Sequence, residues 1–290
     1  MIIARLIGGL GNQMFQYACA RRAAYVRGAR LKLDLSGFKG FGLRRYALGD
    51  LNISAEIATE DEVRRFKRRA HVESLLPRWL RKLLRDWRYS ELREQSFGFD
   101  ADVLSVTGNI LLEGYWQSEK YFADIADIIR REFTLKASPD SANEALANLI
   151  ESMSAVSIHV RRGDYVADLD THRVHGACGL DYYARAVQQI VQNEPHPHFF
   201  VFSDDPQWVK EHLRFAFPTV FVEHNGPHRH CEDLWLMSRC RHNIIANSSF
   251  SWWGAWLNPN PAKIVIAPSQ WFKLETLDTK DLIPEGWVRG

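Results

Sequence analysis

The stretch VSIHVRRGDYVADLD, residues 156–170, places two adjacent arginines directly after a run of apolar residues. The apolar half has the composition of a fully buried β-strand. On an exposed surface an arginine needs no partner, but at the end of such a strand it does, because a guanidinium that loses water must be paired. We therefore predict a central strand that ends in a loop suited to an anionic ligand.

The sequence on both sides of this stretch alternates short apolar strands with amphipathic helices. In the second half the apolar runs are AVSIHV, HFFVFS, VFVEH, NIIAN and KIVIAPS, each separated from the next by a helical pattern. IIARLIGG, the helix after it and LKLDL open a similar unit at the start. This order is typical of parallel sheets covered on both faces. The sequence predicts two doubly wound, Rossmann-like α/β domains, residues 1–150 and 151–290, with ligands at the carboxyl ends of the strands.

Composition and charge indicate an ordinary globular chain without a nucleic-acid partner. Hydrophobic residues make up 46% of the 290 residues, charged residues make up 25%, and the net charge is only +2. No run of about 18 apolar residues predicts a membrane span. The cysteines form no CxxC pair, which predicts reduced thiols, a cytoplasmic location and no zinc site. They are Cys19, Cys178, Cys231 and Cys240.

Residues 55–93 form a basic segment in the first half. Between Glu62 and Arg93 the chain carries eleven Lys or Arg residues and four acidic ones, and LLPRWLRKLLRDW has apolar residues at helical spacing opposite a basic face. One interpretation is a solvated helix face. The other is a weak peripheral contact of residues 62–93 with anionic lipid headgroups at the inner face of the cytoplasmic membrane, or with a lipid-linked glycan.

Close-set glycines follow the first strand in GGLGNQ. Glycines let the backbone approach a ligand, and the helix that follows offers free N–H groups to anions. This predicts ligand contacts by Gly9, Gly11, Asn12 and Gln13. The alternative is a tight turn in which Asn12 and Gln13 cap the helix. The turn lacks the third glycine of a dinucleotide site and the Lys-Ser/Thr of a P-loop, which disfavours both of those functions.

Arg161 and Arg162 have the chemistry to bind a diphosphate. A guanidinium matches phosphate oxygens in a bidentate geometry and stays charged at any working pH. Asp164 can orient one of the two arginines, and His159 can hydrogen bond a ribose or phosphate oxygen. A metal ion is then dispensable, so we predict none. The alternative is an Arg–Asp network on the surface.

Two further polar motifs follow apolar runs in the second half. In FSDD, Ser203 and Asp204 end a strand, and the two aspartates fit a ligand site and a helix cap equally well. In NSSFSWW, Asn247 or Ser248 fits an N-cap, and the small hydroxyls with free N–H groups make a second phosphate cradle, so both residues are also candidate ligand contacts. The paired tryptophans of that motif are interpreted as core rather than as sugar platforms.

The sequence gives little support for a metal site or for a catalytic nucleophile. D-x-D patterns occur at residues 100–102 and 168–170, but so short a pattern arises by chance. His224, His228 and His230 cluster without tight ligand spacing and indicate a polar loop. No nucleophile–base pair has a recognisable spacing.

Five motifs taken together resemble the α-1,2-fucosyltransferase family, particularly bacterial members that decorate O-antigen and milk-type glycans. They are GGLGNQMFQYA, GYWQSEKYF, HVRRGDY, FSDD and NSSFSWWGAWLN, in this order over residues 5–270. The resemblance implies a GT-B fold, with two facing α/β domains. The C-terminal one would hold the donor GDP-β-L-fucose and the N-terminal one the acceptor. It implies inverting transfer, without a metal, to a galactose-terminated oligosaccharide or lipid-linked glycan.

The resemblance also implies roles for single residues. Arg161 would contact the donor diphosphate, and Arg162 would fix the loop. His159 lies where relatives have a donor-contacting histidine, and Asp233 lies where relatives hold the guanine or ribose by an acid. The GGLGNQ turn would close over the site from the N-terminal domain. The phosphate and base pocket would be lined by Ser248, Ser249 and Phe250.

The general base is the residue that the resemblance does not supply. Some relatives place a glutamate a few residues past the arginines, where this chain has V-A-D-L-D. We hypothesise Asp168 or Asp170 as the base, with Asp164 as the third choice. Alternatives for the whole chain are a fucosyltransferase of the same fold that forms another linkage, such as α-1,6, and a non-catalytic nucleotide-sugar or glycan-binding module. The arginine pair argues against the module, since a lectin need not neutralise a diphosphate.

Overall fold

The computed structural model divides the chain into two units. The residues that it describes are 1–39, 44–75, 77, 89–226, 228–274 and 276–290. The first unit comprises Met1–Thr134 and Asp278–Leu282, and the second comprises Leu135–Leu277 and Ile283–Gly290.

The first unit is a parallel sheet with helices. Its described strands are β1 (Ile2–Arg5), β2 (Leu31–Asp34), β3 (Glu56–Ile57), β4 (Tyr89–Arg93) and β5 (Asn109–Glu113), in the spatial order β3-β2-β1-β5-β4. Its described helices are α1 (Leu10–Tyr25), α2 (Glu60–Ser74) and α3 (Ala126–Glu132). Ile2 pairs with both Leu31 and Ile110, so the turns after β1 and β5 lie side by side at the carboxyl edge of the sheet.

The second unit repeats this plan around a fully buried strand. Its described strands are β6 (Ala155–Val160), β7 (His198–Ser203), β8 (Thr219–Val222), β9 (His242–Ile244), β10 (Val265–Ala267) and β11 (Val288–Arg289), in the order β11-β10-β9-β6-β7-β8. Its described helices are α4 (Ser141–Glu151), α5 (Gly163–Ala167), α6 (Leu169–Val174), α7 (Leu180–Asn193), α8 (Pro206–His212), α9 (His230–Arg239) and α10 (Ser249–Leu257). The pairs between these strands are parallel, as the alternating sequence pattern predicted.

The cores explain why the apolar runs become strands. Every residue of β6 is buried, and its neighbours Phe199 and Val201 on β7 are buried as well. In α10, Trp252 and Trp253 are both 0% exposed and their rings meet edge to face at 5.0 Å. Burying each such ring stabilises the fold by roughly 3 kcal/mol. The prediction that these tryptophans belong to the core is confirmed.

The boundary between the units precedes α4, earlier than the predicted limit of the first domain. The reason is that α4 belongs to the second unit by its contacts. Its N-cap Asp140 forms an ion pair with Arg229 at 2.6 Å. Buried Asn143 donates a hydrogen bond to Asn225 at 2.9 Å. The chain therefore enters the second unit just ahead of the turn-rich ASPDSA sequence rather than after the helix.

The first unit also includes a short segment from late in the chain, which the sequence pattern did not predict. The Lys120 ammonium is 2.6 Å from Asp281 Oδ1, and the Ser118 hydroxyl donates to the Asp281 carbonyl at 2.7 Å. The Phe99 N–H donates to the other carboxylate oxygen of Asp281 at 3.1 Å. A single aspartate thus fixes residues 278–282 to the first unit.

The basic segment is described only in part. In α2, Val63 and Phe66 are buried while Arg64, Arg65 and Arg68 are exposed, so this helix is amphipathic. Most of the LLPRWLRKLLRDW stretch lies outside the described residues. Over the part of the chain that the structure covers, no helix combines the length and apolar character needed to cross a bilayer.

Candidate active site

Three of the sequence motifs meet at the carboxyl edge of the second sheet. β6 pairs with β7, with Val160 opposite Ser203, and with β9, with Ile158 opposite Ile244. Neighbouring parallel strands end at the same edge. The HVRRGDY, FSDD and NSSFSWW motifs, which follow these strands, are therefore brought together as the sequence predicted.

Arg161 lies between two carboxylates at this edge. Its Nη2 is 2.5 Å from Asp164 Oδ1 and its Nη1 is 2.8 Å from Asp204 Oδ2. Its guanidinium carbon lies 5.4 Å from the centre of the Tyr165 ring. Burial lowers the pKa of Arg161, but Asp204 and Asp164 outweigh burial and raise that pKa above its ordinary value. The guanidinium is therefore permanently charged and fixed in orientation, and it carries more N–H donors than these two bonds use.

Arg162 has a different environment, although it is the next residue. Its Nε is 3.2 Å from Asp205 Oδ2, and its guanidinium lies 3.6 Å from the centre of the Trp208 ring. Its backbone N–H donates to Asp204 Oδ1 at 2.8 Å. Arg162 thus clamps the loop after β6 against α8.

His159 is buried behind Arg161. It is 4% exposed, its ring centre is 5.4 Å from that of Phe250, and no described residue offers its Nδ1 a hydrogen-bond partner. Burial, and then the charge of Arg161, lower the pKa of His159 to about 3. The imidazole is therefore neutral at any working pH. A buried nitrogen without a partner costs free energy, roughly 1–3 kcal/mol, which a ligand or a water could recover.

The FSDD and NSSFSWW motifs cap helices as well as shape the site. Ser203 Oγ accepts the Asp205 N–H at 3.0 Å, and Asp205 caps α8 by accepting the Trp208 N–H at 3.2 Å. Ser248 caps α10 by accepting the Phe250 N–H at 3.3 Å. Ser248 lies directly before Ser249 and Phe250, the first residues of that helix.

Asn247 is a positioning residue rather than the direct ligand contact that the sequence suggested. Its Nδ2 lies 3.0 to 3.1 Å from the carbonyl oxygens of His175, Gly176 and Trp271. Its Oδ1 accepts the Cys178 thiol at 3.5 Å. The amide is committed to the protein because it ties together two loops next to the arginines.

Asp233 lies in the first turn of α9, after β8. It accepts a hydrogen bond from Asn225 Nδ2 at 2.8 Å. Burial raises the pKa of Asp233 to about 7, against the opposing effect of this hydrogen bond. A carboxyl group whose pKa is raised this far by burial is a candidate functional residue.

The three candidate bases have unequal surroundings. Asp164 is paired with Arg161, as described above. Asp168 is exposed and caps α6, and the hydrogen bond that it accepts from the Thr171 N–H at 2.7 Å lowers the pKa of Asp168. Asp170 is exposed in the first turn of the same helix.

The D-x-D patterns and the histidine cluster have local partners. Asp100 accepts the Asp102 N–H at 2.9 Å, so the first pattern forms a cap, as the Asp168 cap does in the second. His224 Nε2 lies 3.0 Å from Asn143 Oδ1 in a polar loop. Within the described ranges, His, Cys, Asp and Glu side chains form no group of three arranged to hold a metal ion.

The GGLGNQ turn lies at the carboxyl edge of the first sheet. Gly8 has a φ of 77°, and Gly9 is the N-cap residue of α1, with Gly11 buried in the first turn. Gln13 is 0% exposed; its Nε2 donates to the carbonyls of Gly8 and Arg45 at 2.9 and 2.8 Å. Gln13 therefore braces the turn, but neither Asn12 nor Gln13 caps α1, because the N-cap residue is Gly9 and the described residues supply no side-chain cap. Asn12 Oδ1 accepts a hydrogen bond from Gln117 of the GYWQSEK motif at 2.9 Å.

Sequence reasoning missed Glu94. Its carboxylate accepts the N–H groups of Tyr115 at 2.7 Å and Trp116 at 2.9 Å. This bracket holds Trp116 at a φ of 56°, in the left-handed region where a non-glycine residue is strained. The GYWQSEK motif signalled the turn, but nothing in the sequence tied it to Glu94.

Sequence reasoning also missed the stacked pair of Tyr165 and His175. Their ring centres are 4.7 Å apart with an interplanar angle of 12°, and the Tyr165 hydroxyl donates to the Asn247 carbonyl at 3.2 Å. Tyr165 stands in the HVRRGDY motif, whereas His175 carries no sequence signal of its own.

Comparison with known proteins gives both the family and relatives of similar length. The profile of glycosyl transferase family 11 matches residues 1–289. An alpha-1,2-colitosyltransferase of Escherichia coli is 36% identical over 100% of this chain and 98% of its own length. The O-antigen biosynthesis glycosyltransferase WbnK of Escherichia coli is 34% identical over 92% of this chain and 93% of its own. Galactoside alpha-(1,2)-fucosyltransferase 1 of Rattus norvegicus is 27% identical over 86% and 61%.

Solved structures of low sequence identity share the fold. NodZ alpha-1,6-fucosyltransferase, co-crystallized with GDP, has a TM-score of 0.51 at 16% identity and covers 89% of this chain and 92% of its own. POFUT1 in complex with GDP-fucose has a TM-score of 0.51 at 15% identity, with coverages of 92% and 97%. The predicted α/β fold of GT-B type with parallel sheets is confirmed. The predicted family is confirmed too: this chain belongs to glycosyl transferase family 11, among the fucosyltransferases.

Proposed function

We propose that this protein transfers L-fucose from GDP-β-L-fucose, with inversion, to a galactose hydroxyl of a glycan and forms an α-1,2 linkage. The observation that carries the proposal is the fixed guanidinium of Arg161, held by Asp164 and Asp204 at the edge of a parallel sheet. Buried His159, with its unpartnered Nδ1, lies beside it. Two relatives named as α-1,2 transferases, one matched over 100% of this chain and the other over 86% of it, support the linkage.

The chemistry of the proposed reaction needs little more than stabilisation of one developing charge. The bond between the fucosyl carbon and the phosphate oxygen breaks, its electron pair stays on the β-phosphate of GDP, and the sugar becomes oxocarbenium-like. Arg161 stabilises the phosphate charge in the transition state, with N–H groups at the start of α10. The acceptor oxygen bonds to the same carbon from the opposite face and loses its proton to a base or to water.

We propose Asp168 or Asp170 as that base. Asp168 also caps α6, so a substitution there must keep the cap. Asparagine caps a helix as well as aspartate does, so Asp168→Asn removes the charge and keeps the local structure. We expect one of the variants Asp168→Asn and Asp170→Asn to lower kcat about 100-fold, because a general base contributes at least that much. GDP affinity should stay unchanged. Wild-type transfer rates in both variants would exclude these two residues as bases.

The central test is an acceptor screen with GDP-fucose in the presence of EDTA. We expect fucose transfer to lactose or an N-acetyllactosamine acceptor at the same rate with and without EDTA, because Arg161 takes the place of a metal at the diphosphate. NMR of the product should show the α-1,2 linkage. An α-1,6 product would support the same-fold alternative, an EDTA-sensitive rate would overturn metal independence, and GDP binding without transfer would favour the non-catalytic module.

A second candidate is transfer of colitose, which is fucose without its 3-hydroxyl group. The observation that favours it is the 36% identity to an alpha-1,2-colitosyltransferase over the full chain. A site that hydrogen bonds a substrate hydroxyl rejects the analogue without it by about 10⁴-fold, whereas a site that ignores the hydroxyl barely discriminates. Comparing kcat/KM for GDP-fucose and GDP-colitose separates the two. We expect GDP-fucose to be preferred; a large preference for GDP-colitose would replace our first proposal.

A further inference from the structure

A chain of side-chain hydrogen bonds leads from the start of α4 to Asp233. Asp140 accepts from Asn143 Nδ2 at 3.0 Å. Asn143 and Asn225 exchange two amide hydrogen bonds, each of 2.9 Å. Asn225 Nδ2 then donates to Asp233 Oδ1 at 2.8 Å. The four residues come from α4, its N-cap, the loop after β8 and α9, so this is a tertiary arrangement that no sequence motif contains.

Asp140 sets the direction in which hydrogen bonds are donated along this series of side chains. Asp140 is paired with Arg229 at 2.6 Å, and this partner together with the Asn143 N–H lowers the pKa of Asp140. An ionised carboxylate only accepts hydrogen bonds, so the amide of Asn143 must point its Nδ2 towards Asp140. Its Oδ1 then accepts from Asn225. Asn225 in turn presents N–H, and not oxygen, to Asp233.

Asp233 lies at the same carboxyl edge of the second sheet as the proposed donor site, and its helix α9 packs against α10. A side-chain carbon placed on Gly254 of α10 would lie 3.1 Å from Met237 Cβ of α9. Both helices begin at the carboxyl edge of the second sheet. The first turn of α9, with Asp233, thus lies on the same side as Phe250 and His159. A carboxylate there can accept the ring and amino N–H groups at the Watson–Crick edge of guanine.

We propose that Asn225, held by Asn143, is a positioning residue for guanine recognition: its N–H favours the carboxylate form of Asp233 and aims it at the base of the donor. The inference rests on the proposed function, since it takes the donor to be a guanine nucleotide. Asn225 itself need not touch the nucleotide. Its contribution is to oppose burial, which by itself favours the protonated carboxyl group.

Asn225 donates the hydrogen bond to Asp233, and nearby charged groups act on the same carboxyl group. Burial raises the pKa of Asp233 to about 7; the Asn225 hydrogen bond lowers this pKa, Glu232 raises it, and Arg229 lowers it. From neighbouring elements, Asp140 and His224 join the same network through Asn143. The α10 sequence SFSWWGAWL contains no ionisable side chain. Loss of the Asn225 N–H should therefore raise the pKa of Asp233.

The test measures GDP and ADP affinity by calorimetry in wild type and Asn225→Ala. A hydrogen bond to a charged group is worth about one pKa unit, so the variant should bind GDP about fivefold more weakly at about pH 7. At about pH 8.5 the carboxyl group is ionised in both proteins, and the difference should shrink below about twofold. Affinity for ADP should not change. The matched control is Asn193→Ala, an exposed amide of α7 in the same unit, which should bind as wild type does.

A double-variant cycle shows whether Asn225 acts through Asp233. Asp233→Asn should bind GDP weakly at both pH values, and adding Asn225→Ala to it should cause no further loss. Equal loss at both pH values in Asn225→Ala, or additive losses in the double variant, would overturn the positioning role. If wild type does not bind GDP, or binds ADP equally well, the proposed function itself fails.

Discussion

Replacing Arg161 with alanine is expected to abolish measurable transfer, with kcat/KM lower by about 10³-fold. Removing one preorganised donor to a developing oxyanion typically costs about 10²- to 10³-fold, and Arg161 also supplies the charge that holds the diphosphate. The variant loses a second contribution, because Asp164 and Asp204 would then lie at the phosphate site without their partner. GDP affinity, measured by calorimetry, should fall together with kcat.

Two further variants make this result specific. Arg161→Lys keeps the charge but loses the planar fork, and it should recover only part of the activity because an ammonium cannot span both carboxylates and a phosphate. Arg185→Ala removes an exposed arginine that pairs with Asp181 in the same unit, and it should behave as wild type. GDP binding that survives Arg161→Ala would contradict the assignment of the donor site to this edge of the sheet.

The second large effect is expected from Gly163→Ala. A side-chain carbon on Gly163 would lie 2.5 Å from Asp204 Oδ2, the oxygen that pairs with Arg161. The carboxylate must move, and with it the hydrogen bond from the Arg162 N–H. A shift of about 1 Å in a catalytic group can cost about 100-fold in rate. We expect a loss of that size in kcat/KM and a fall of about 1–3 kcal/mol in the free energy of unfolding.

Gly226→Ala is the matched control for this substitution. Its added carbon would meet no atom of the described residues within 4 Å, and its backbone is outside the left-handed region. Its unfolding free energy should stay within about 0.5 kcal/mol of wild type, as for most surface changes. Urea unfolding and steady-state kinetics on both variants check the comparison. Wild-type kinetics in Gly163→Ala would mean that Asp204 is not needed to fix Arg161.

Local sequence patterns predicted the elements but not all of their partners. The run AVSIHV predicts β6 because its continuous apolar composition suits a strand that is buried on both faces. The paired tryptophans of α10 were interpreted as core residues, and both are buried. The same pattern-based reasoning extended the first domain too far, because α4 carries an amphipathic pattern of its own and nothing local shows that Asp140 pairs with Arg229.

In the candidate site, too, the sequence predicted individual residues but not all of their partners. Arg161 was singled out because a charge after a buried strand needs a partner, and the structure supplies Asp204 from the neighbouring strand end as well as Asp164. Asn247 looked equally suited to a ligand, since its motif follows a strand. Its amide is instead committed to three carbonyls from loops distant in sequence. No role was predicted for Asn225 or Glu94.

The sequence by itself determined the class of the fold, the edge of the sheet that carries the candidate site, and the arginine that we propose at its centre. These follow from periodicity and from the cost of burying a charge, which are local properties of the chain. Only the tertiary structure decided which polar groups are free for a ligand and which are committed to the protein. Arg161 keeps N–H donors beyond its two carboxylates, whereas Arg162 is packed on Trp208. Hydrogen bonds and ion pairs between segments far apart in sequence make that distinction, and no pattern within one segment encodes it.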